Sequence, residues 1–172
     1  KVNVNFNNAY AFLIAQLFNL QTKRKSKEAI SHHYDLDTNL FMSFLDTQNQ
    51  YSSGYFKNTG NLDKAQEQKL DMICKKLHLA SKDKVLDISC GWGGFAKFAS
   101  VNYGCEVTGI NISDEQIKYA KEYCKGLPVN IIKCDYRDVK GSFDKIASIE
   151  IMEHIGYKNY RSFMKILLNC LK

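Results

Sequence analysis

Residues 85–95 read VLDISCGWGGF. An apolar run with one aspartate in it meets three glycines in four positions, and a helical pattern through Phe95 and Phe98 follows. Glycines this dense give up side-chain packing and cost chain entropy, so they mark a place where something approaches the backbone closely. Strand, glycine turn and helix in that order begin a βαβ unit, and the chain continues it. Residues 106–110 read as a second strand. Ser113-Asp-Glu-Gln116 has capping-box spacing and opens a helix, which Gly126 and Pro128 close. Residues 129–133 and 145–151 are two further strands. Upstream, Leu70, Ile73, Cys74 and Leu77 fall on one helical face, and downstream Tyr160, Phe163, Met164, Leu167 and Leu171 do the same. Strands alternating with helices of about 10–15 residues imply an α/β fold with a parallel sheet and right-handed crossovers. Ligands of such sheets sit beyond the carboxyl ends of the strands, where strand order reverses. With strand order 3-2-1-4, the glycine turn faces the end of the fourth strand across that crevice.

The chemistry of the turn bears on its ligand. Gly91-x-Gly93-x-x-Ala96 satisfies the dinucleotide fingerprint, which also wants an acid after the second strand for the ribose hydroxyls. Here that strand runs into Asn111, Ile112 and Ser113, all neutral, and no Arg stands there for a 2′-phosphate. The G-K-[ST] of a triphosphate loop is absent. Asp87 at the end of the first strand would repel a pyrophosphate and would pair with a cation. A ligand carrying an ammonium or a sulfonium fits best, and S-adenosylmethionine carries both; a dinucleotide and a turn without a ligand stay open. Across the crevice, Glu150, Glu153 and His154 in SIEIMEHIG gather carboxylates and an imidazole suited to acid–base work. Glu153 also suits the start of the following helix through its dipole.

The remaining features limit the partners. Twenty-four Lys and Arg against eighteen Asp and Glu leave a net charge of +6, which suits a nucleic acid or a phospholipid surface without choosing between them. Six scattered cysteines with no C-x-x-C pair read as reduced, cytosolic thiols. The longest apolar run, residues 9–15, is far short of the roughly 20 residues that span a bilayer, and no signal peptide is visible. Residues 1–30 alternate at Val2, Val4 and Phe6, turn helix-like to Leu20 and end in the basic run QTKRKSKE, read as a linker that is either a solvated helix end or a membrane-surface patch. His32 and His33 lack metal-ligand spacing. The Asp35-x-Asp37-x-Asn39 start of a calcium loop fails at Leu40, where glycine is required. No metal is expected.

HHYDLDTNLF, QYSSGYF, AQEQKLDMICKKL, VLDISCGWGGFAKFA, GINISDEQIKYA, CDYRD and IEIMEHIGYKNYRSF follow one another over about 30–172. In this order and spacing they resemble the cyclopropane-fatty-acyl-phospholipid synthases, S-adenosylmethionine-dependent enzymes that modify unsaturated acyl chains. The resemblance implies a Rossmann-like methyltransferase sheet of seven strands, of which the first four are present, so the chain reads as part of a longer protein. It implies three parts: 1–30 as the end of an N-terminal domain or linker, 31–62 as a lid on the substrate side, and 63–172 as the cofactor-binding core. It further implies that Tyr51 and Ser52 touch the cofactor from the lid. Asp87, Ser89, Gly91 and Gly93 line its methionine side, Asn111, Ile112 and Gln116 hold ribose and adenine, and Tyr136 and Arg137 border the adenine. Glu153 would help bind a bicarbonate base, with Ser53 beside it. Two positions depart from the family pattern: Gly is usual where Ser89 stands, and Cys is frequent where Ser53 stands. The implied partner is phospholipid at the inner face of the membrane, not nucleic acid, and a homodimer is compatible with it. A methyl-branching fatty-acid methyltransferase, methylation of a small amine or hydroxyl, and a cofactor-binding but inert fragment are the alternatives.

Overall fold

The computed structural model describes residues 22–23 and 38–172. The expectations for residues 1–30, His32, His33, Asp35 and Asp37 lie outside the described residues, apart from Thr22 and Lys23. A short helix α1 (Thr38–Met42) precedes α2 (Leu62–Lys76). Then β1 (Lys84–Ile88), α3 (Gly94–Tyr103), β2 (Glu106–Asn111), α4 (Asp114–Tyr123) and β3 (Val129–Lys133) alternate. A 3₁₀ turn (Tyr136–Asp138) leads to β4 (Lys145–Ser148), the short α5 (Met152–Ile155), a second 3₁₀ turn and α6 (Tyr160–Cys170). The four strands form one parallel sheet, as their alternation with helices implies, in the order β3-β2-β1-β4.

β1 is central, so both of its faces are covered and it reads as a near-continuous apolar run. Val85 packs with Phe95, Val107 and Ile131 beneath α2, α3 and α4. Leu86 and Ile88 point the other way, into a second cluster with Ile110, Phe143 and Phe163 beneath α6. Asp87 sits between these runs with 2% of its surface exposed. Of the two capped helix starts, the sequence marks the one at Ser113, and the structure adds the one at Asn61. Asn61 accepts from the Lys64 backbone N–H at 2.9 Å, and Ser113 accepts from that of Gln116 at 3.3 Å.

Two sequence expectations are corrected. The fourth strand ends at Ser148 rather than at residue 151, because Glu150 takes φ +48°, a left-handed conformation that breaks extended pairing. The buried stripe of α6 runs through Phe163, Ile166, Leu167 and Cys170, while Met164 and Leu171 are exposed. The face pressed on the sheet is rotated by about one position from the face with the most apolar residues. No helix among the described residues is long and apolar enough to cross a membrane.

Candidate functional site

A cavity opens at the carboxyl edge of the sheet, where the segments after all four strands converge and residues 49–52 close over them. The turn after β1 forms its floor. Burial pushes the Asp87 carboxyl up to about 7, and its Oδ2 has no hydrogen-bond partner. Buried polar atoms are nearly always paired, so an orphan on a residue that lines a cavity marks a place for a ligand donor. Ser89 and Gly91 both line the cavity, at φ +63° and +54°. A Cβ built on Gly91 meets nothing within 4 Å, so it would stand in the open space of the cavity. Gly93 is set against α4 instead. A Cβ there would lie 3.1 Å from Ala120 Cβ and 3.2 Å from Cys124 Sγ, so the missing side chain lets the helix close on the turn.

The end of β2 supplies Asn111, Ile112 and Gln116, all lining the cavity. Asn111 Oδ1 accepts from the Ile112 backbone N–H at 2.7 Å, and its Nδ2 donates to Gln116 Oε1 at 2.8 Å. The Gln116 side chain is thus turned toward the cavity rather than back onto its own cap. After β3, Tyr136 lines the cavity and packs edge-on against Phe163. Arg137 is not among the lining residues. Its guanidinium pairs with Asp135 at 2.9 Å and lies over the Tyr136 ring. Asp135 does line the cavity, although CDYRD offered it for notice only as one acid among others.

The cover is built from an aspartate. Buried Asp46 accepts from the backbone N–H groups of Gln48 and Gln50, both at 2.7 Å, which curls residues 46–50 onto the start of α3. The Ser52 carbonyl accepts from Gln66 Nε2 at 2.7 Å, and the Lys69 ammonium donates to the Ser52 hydroxyl. Burial lowers the Lys69 pKa to about 8, against the raising effect of Glu150 and Asp46. Trp92, 1% exposed, is held between Phe41 and Tyr119 at centroid distances of 5.3 and 5.4 Å. Tyr51 and Ser52 line the cavity as expected, and Asn49, Gln50 and Trp92 join them. Only the curl of residues 46–50 brings Asn49 and Gln50 there, and no motif announces it. The approach at Gly94 is so close that a Cβ would sit 1.9 Å from the Gln48 carbonyl oxygen. Gly94→Ala should therefore lift the cover and cost about 1–3 kcal/mol of stability. Hydrogen exchange at residues 48–53 should accelerate alongside a lower melting temperature; unchanged exchange would refute the contact.

At the fourth strand the structure separates residues that the sequence grouped. Glu150 and His154 line the cavity. Glu153 is exposed on α5 and does not. Ser53 lies in an adjoining groove with Phe44, Leu62 and Ser52, and both its backbone N–H and its hydroxyl donate to Glu150 Oε1, at 2.8 and 2.7 Å. The lining thus holds three carboxylates, Asp87, Asp135 and Glu150, and no Lys or Arg. Such a cavity favours a cationic ligand and opposes a pyrophosphate. No cluster suited to a metal ion occurs among the described residues.

Known proteins with this arrangement place the chain. The chain is 47% identical to the cyclopropane-fatty-acyl-phospholipid synthase of Escherichia coli strain K12 over 158 residues, 92% of this chain and 41% of the relative. It is 40% identical to a probable fatty acid methyltransferase of Pseudomonas putida, over 87% of this chain and 40% of the relative. It spans about two fifths of the length of these curated relatives. A crystal structure of a mycolic acid cyclopropane synthase complexed with SAH and CTAB superposes with a TM-score of 0.81 at 28% identity, covering 85% of this chain and 53% of that one. A cyclopropane synthase from Mycobacterium tuberculosis gives 0.82 at 27%, covering 90% and 55%. The family described as mycolic acid cyclopropane synthetase matches residues 21–172, nearly the whole span over which the sheet, the cover and the cavity are built, and this chain belongs to it.

Proposed function

We propose that this protein transfers a one-carbon unit from S-adenosylmethionine to the double bond of unsaturated phospholipid acyl chains, forming cyclopropane fatty acids. The observation that carries the reading is the anionic cavity at the sheet's switch point, with the unpartnered Asp87 oxygen at its floor. The residues fit the cofactor. Asp87 offers an acceptor to an ammonium, Gly91 leaves room beside it, and Asn111, Gln116 and Tyr136 would hold ribose and adenine. When bound, S-adenosylmethionine supplies an activated methyl group, which an alkene needs because it is a poor nucleophile. The chain's own part is to exclude water through Phe41, Tyr51 and Trp92, to face developing positive charge with aromatic rings, and to take up a proton so that a ring closes. Glu150 and His154, which line the cavity, are the groups placed to do the last.

A bicarbonate base, which the resemblance implies beside Ser53 and Glu153, fits poorly. Both donors of Ser53 are taken by Glu150, so the anion would lie against a carboxylate, and Glu153 is not among the residues that line the cavity. The exposed side chains of Phe44, Tyr51 and Leu62 at the entrance and the net charge of +6 support a substrate drawn from an anionic lipid surface on the inner side of the membrane.

The test uses protein expressed from its complete reading frame. Incubated with vesicles of monounsaturated phosphatidylglycerol and methyl-labelled S-adenosylmethionine, it should place label in the acyl chains, as rings identified by mass spectrometry. A branched or exomethylene product would instead assign fatty-acid methylation. Absence of label from lipid, with label entering a small amine or alcohol, would overturn the lipid reading.

A further inference from the structure

We propose that Glu150 is the proton acceptor of this site, so that the base is a side chain of the protein rather than a bound anion. The inference rests on the lipid reading and deepens it.

Position is the first ground. Glu150 follows β4 by two residues and lines both the main cavity and the apolar groove of Phe44, Leu62 and Ser53 that adjoins it. An acyl chain entering by the groove passes this carboxylate on its way to the cavity. Strain is the second. Glu150 holds φ +48°, a conformation an L side chain keeps only where its surroundings over-determine it, and such residues gather at functional sites. Those surroundings are visible here: the backbone N–H and the hydroxyl of Ser53, 97 residues away in sequence, both donate to one oxygen, Oε1. Oε2 has no hydrogen-bond partner among the described residues. One oxygen is thus anchored to the cover and the other is free to act. The buried Lys69 ammonium stands close enough to interact with it.

The step balances. The bond between the sulfonium sulfur and the methyl breaks, its electron pair staying on sulfur as the neutral thioether, while the alkene π pair bonds the methyl to one alkene carbon and leaves positive charge on the other. A C–H bond of the new methyl then breaks, and its electron pair forms the second C–C bond of the ring. The proton passes to Glu150 Oε2, giving a neutral acid that returns it to water after product leaves.

Two substitutions test the assignment. Glu150→Gln keeps an oxygen for the Ser53 donors, so the cover stays, but cannot take the proton. Its turnover on monounsaturated phospholipid vesicles should fall by roughly 10²–10⁴-fold, the range for a positioned general base, with affinity for S-adenosylhomocysteine within a few-fold of the parent. Glu150→Gly relieves the left-handed strain and vacates the Ser53 donors. It should bind bicarbonate, seen by ¹³C line broadening with labelled bicarbonate, and regain turnover when bicarbonate is added. The parent should show neither the broadening nor any dependence on bicarbonate. Full turnover in Glu150→Gln, or a parent that binds and requires bicarbonate, would overturn the proposal. If the parent modifies no lipid at all, the lipid reading fails. The ¹³C comparison still decides whether Glu150 occupies the anion position: broadening in the parent refutes it, and broadening confined to Glu150→Gly supports it.

Discussion

Asp87→Asn should make the ligand-free protein more stable above pH 7 while stripping it of cofactor affinity. Burial raises the Asp87 carboxyl to about 7 in the folded protein, whereas in the unfolded chain it ionises near 4. Between roughly pH 4 and 7 the folded state therefore retains a proton that the unfolded state has released. Stability falls as pH rises through that window, and the cost is fully present above it. Asparagine has no charge to bury, so the variant's advantage should grow from pH 4 to pH 7 and then level off. At about 1.4 kcal/mol per pKa unit it reaches a few kcal/mol. A ligand ammonium placed beside the Asp87 carboxyl, which lines the cavity, favours the ionised form. Parent affinity for S-adenosylhomocysteine should therefore strengthen as pH rises toward 7, with proton release on binding below that pH. In the variant the affinity should be flat with pH and weaker by about 10²-fold, the scale of a lost charge-assisted hydrogen bond. Denaturant melts at pH 5 and pH 8, with calorimetric titrations in buffers of different ionisation enthalpy, measure both halves. Equal affinity in parent and variant would remove Asp87 from the binding site.

Gly91→Val should abolish measurable binding of S-adenosylhomocysteine, by 10²-fold or more, through two separable effects. The position has φ +54°, where a side chain costs roughly 1–2 kcal/mol and a β-branched one is the least tolerant. The Cβ direction also points into open cavity, so isopropyl bulk takes ligand volume without striking protein. Gly91→Ala shares most of the strain and little of the bulk, so comparing the two variants by melting and by titration divides the loss. Ser89→Gly supplies the opposite control. It removes a side chain held at φ +63° on the same turn, and affinity should hold or tighten. A folded Gly91→Val with parental affinity would place the cofactor elsewhere.

Much of the cavity lining was legible in the sequence. Asp87, Ser89, Gly91, Asn111, Ile112 and Gln116 line one cavity because each sits within a few residues of a strand's carboxyl end, and parallel strands bring those ends to one edge. Gly93 and Arg137 lie within the same motifs but are used for packing against α4 and for pairing with Asp135. Motif membership marks a segment; which way each residue of it faces depends on the neighbouring helix.

Local rules are carried by near neighbours in the chain. Apolar period, the Ser113 cap and the glycines of the first turn therefore determined the strands and helices and, through the alternation of the two, a parallel sheet; the order β3-β2-β1-β4 comes from the structure. The tertiary structure alone decided the contacts between distant segments: Gly94 pressed beneath Gln48, Trp92 wedged between Phe41 and Tyr119, and Ser53 bound to Glu150. It also decided that Glu150, rather than Glu153, faces the cavity. Three residues along the chain separate those two carboxylates, but the left-handed turn at residue 150 sends one side chain toward the cover and leaves the other on the solvent face of α5. The partner that holds that turn in place lies 97 residues away, beyond the reach of any local pattern.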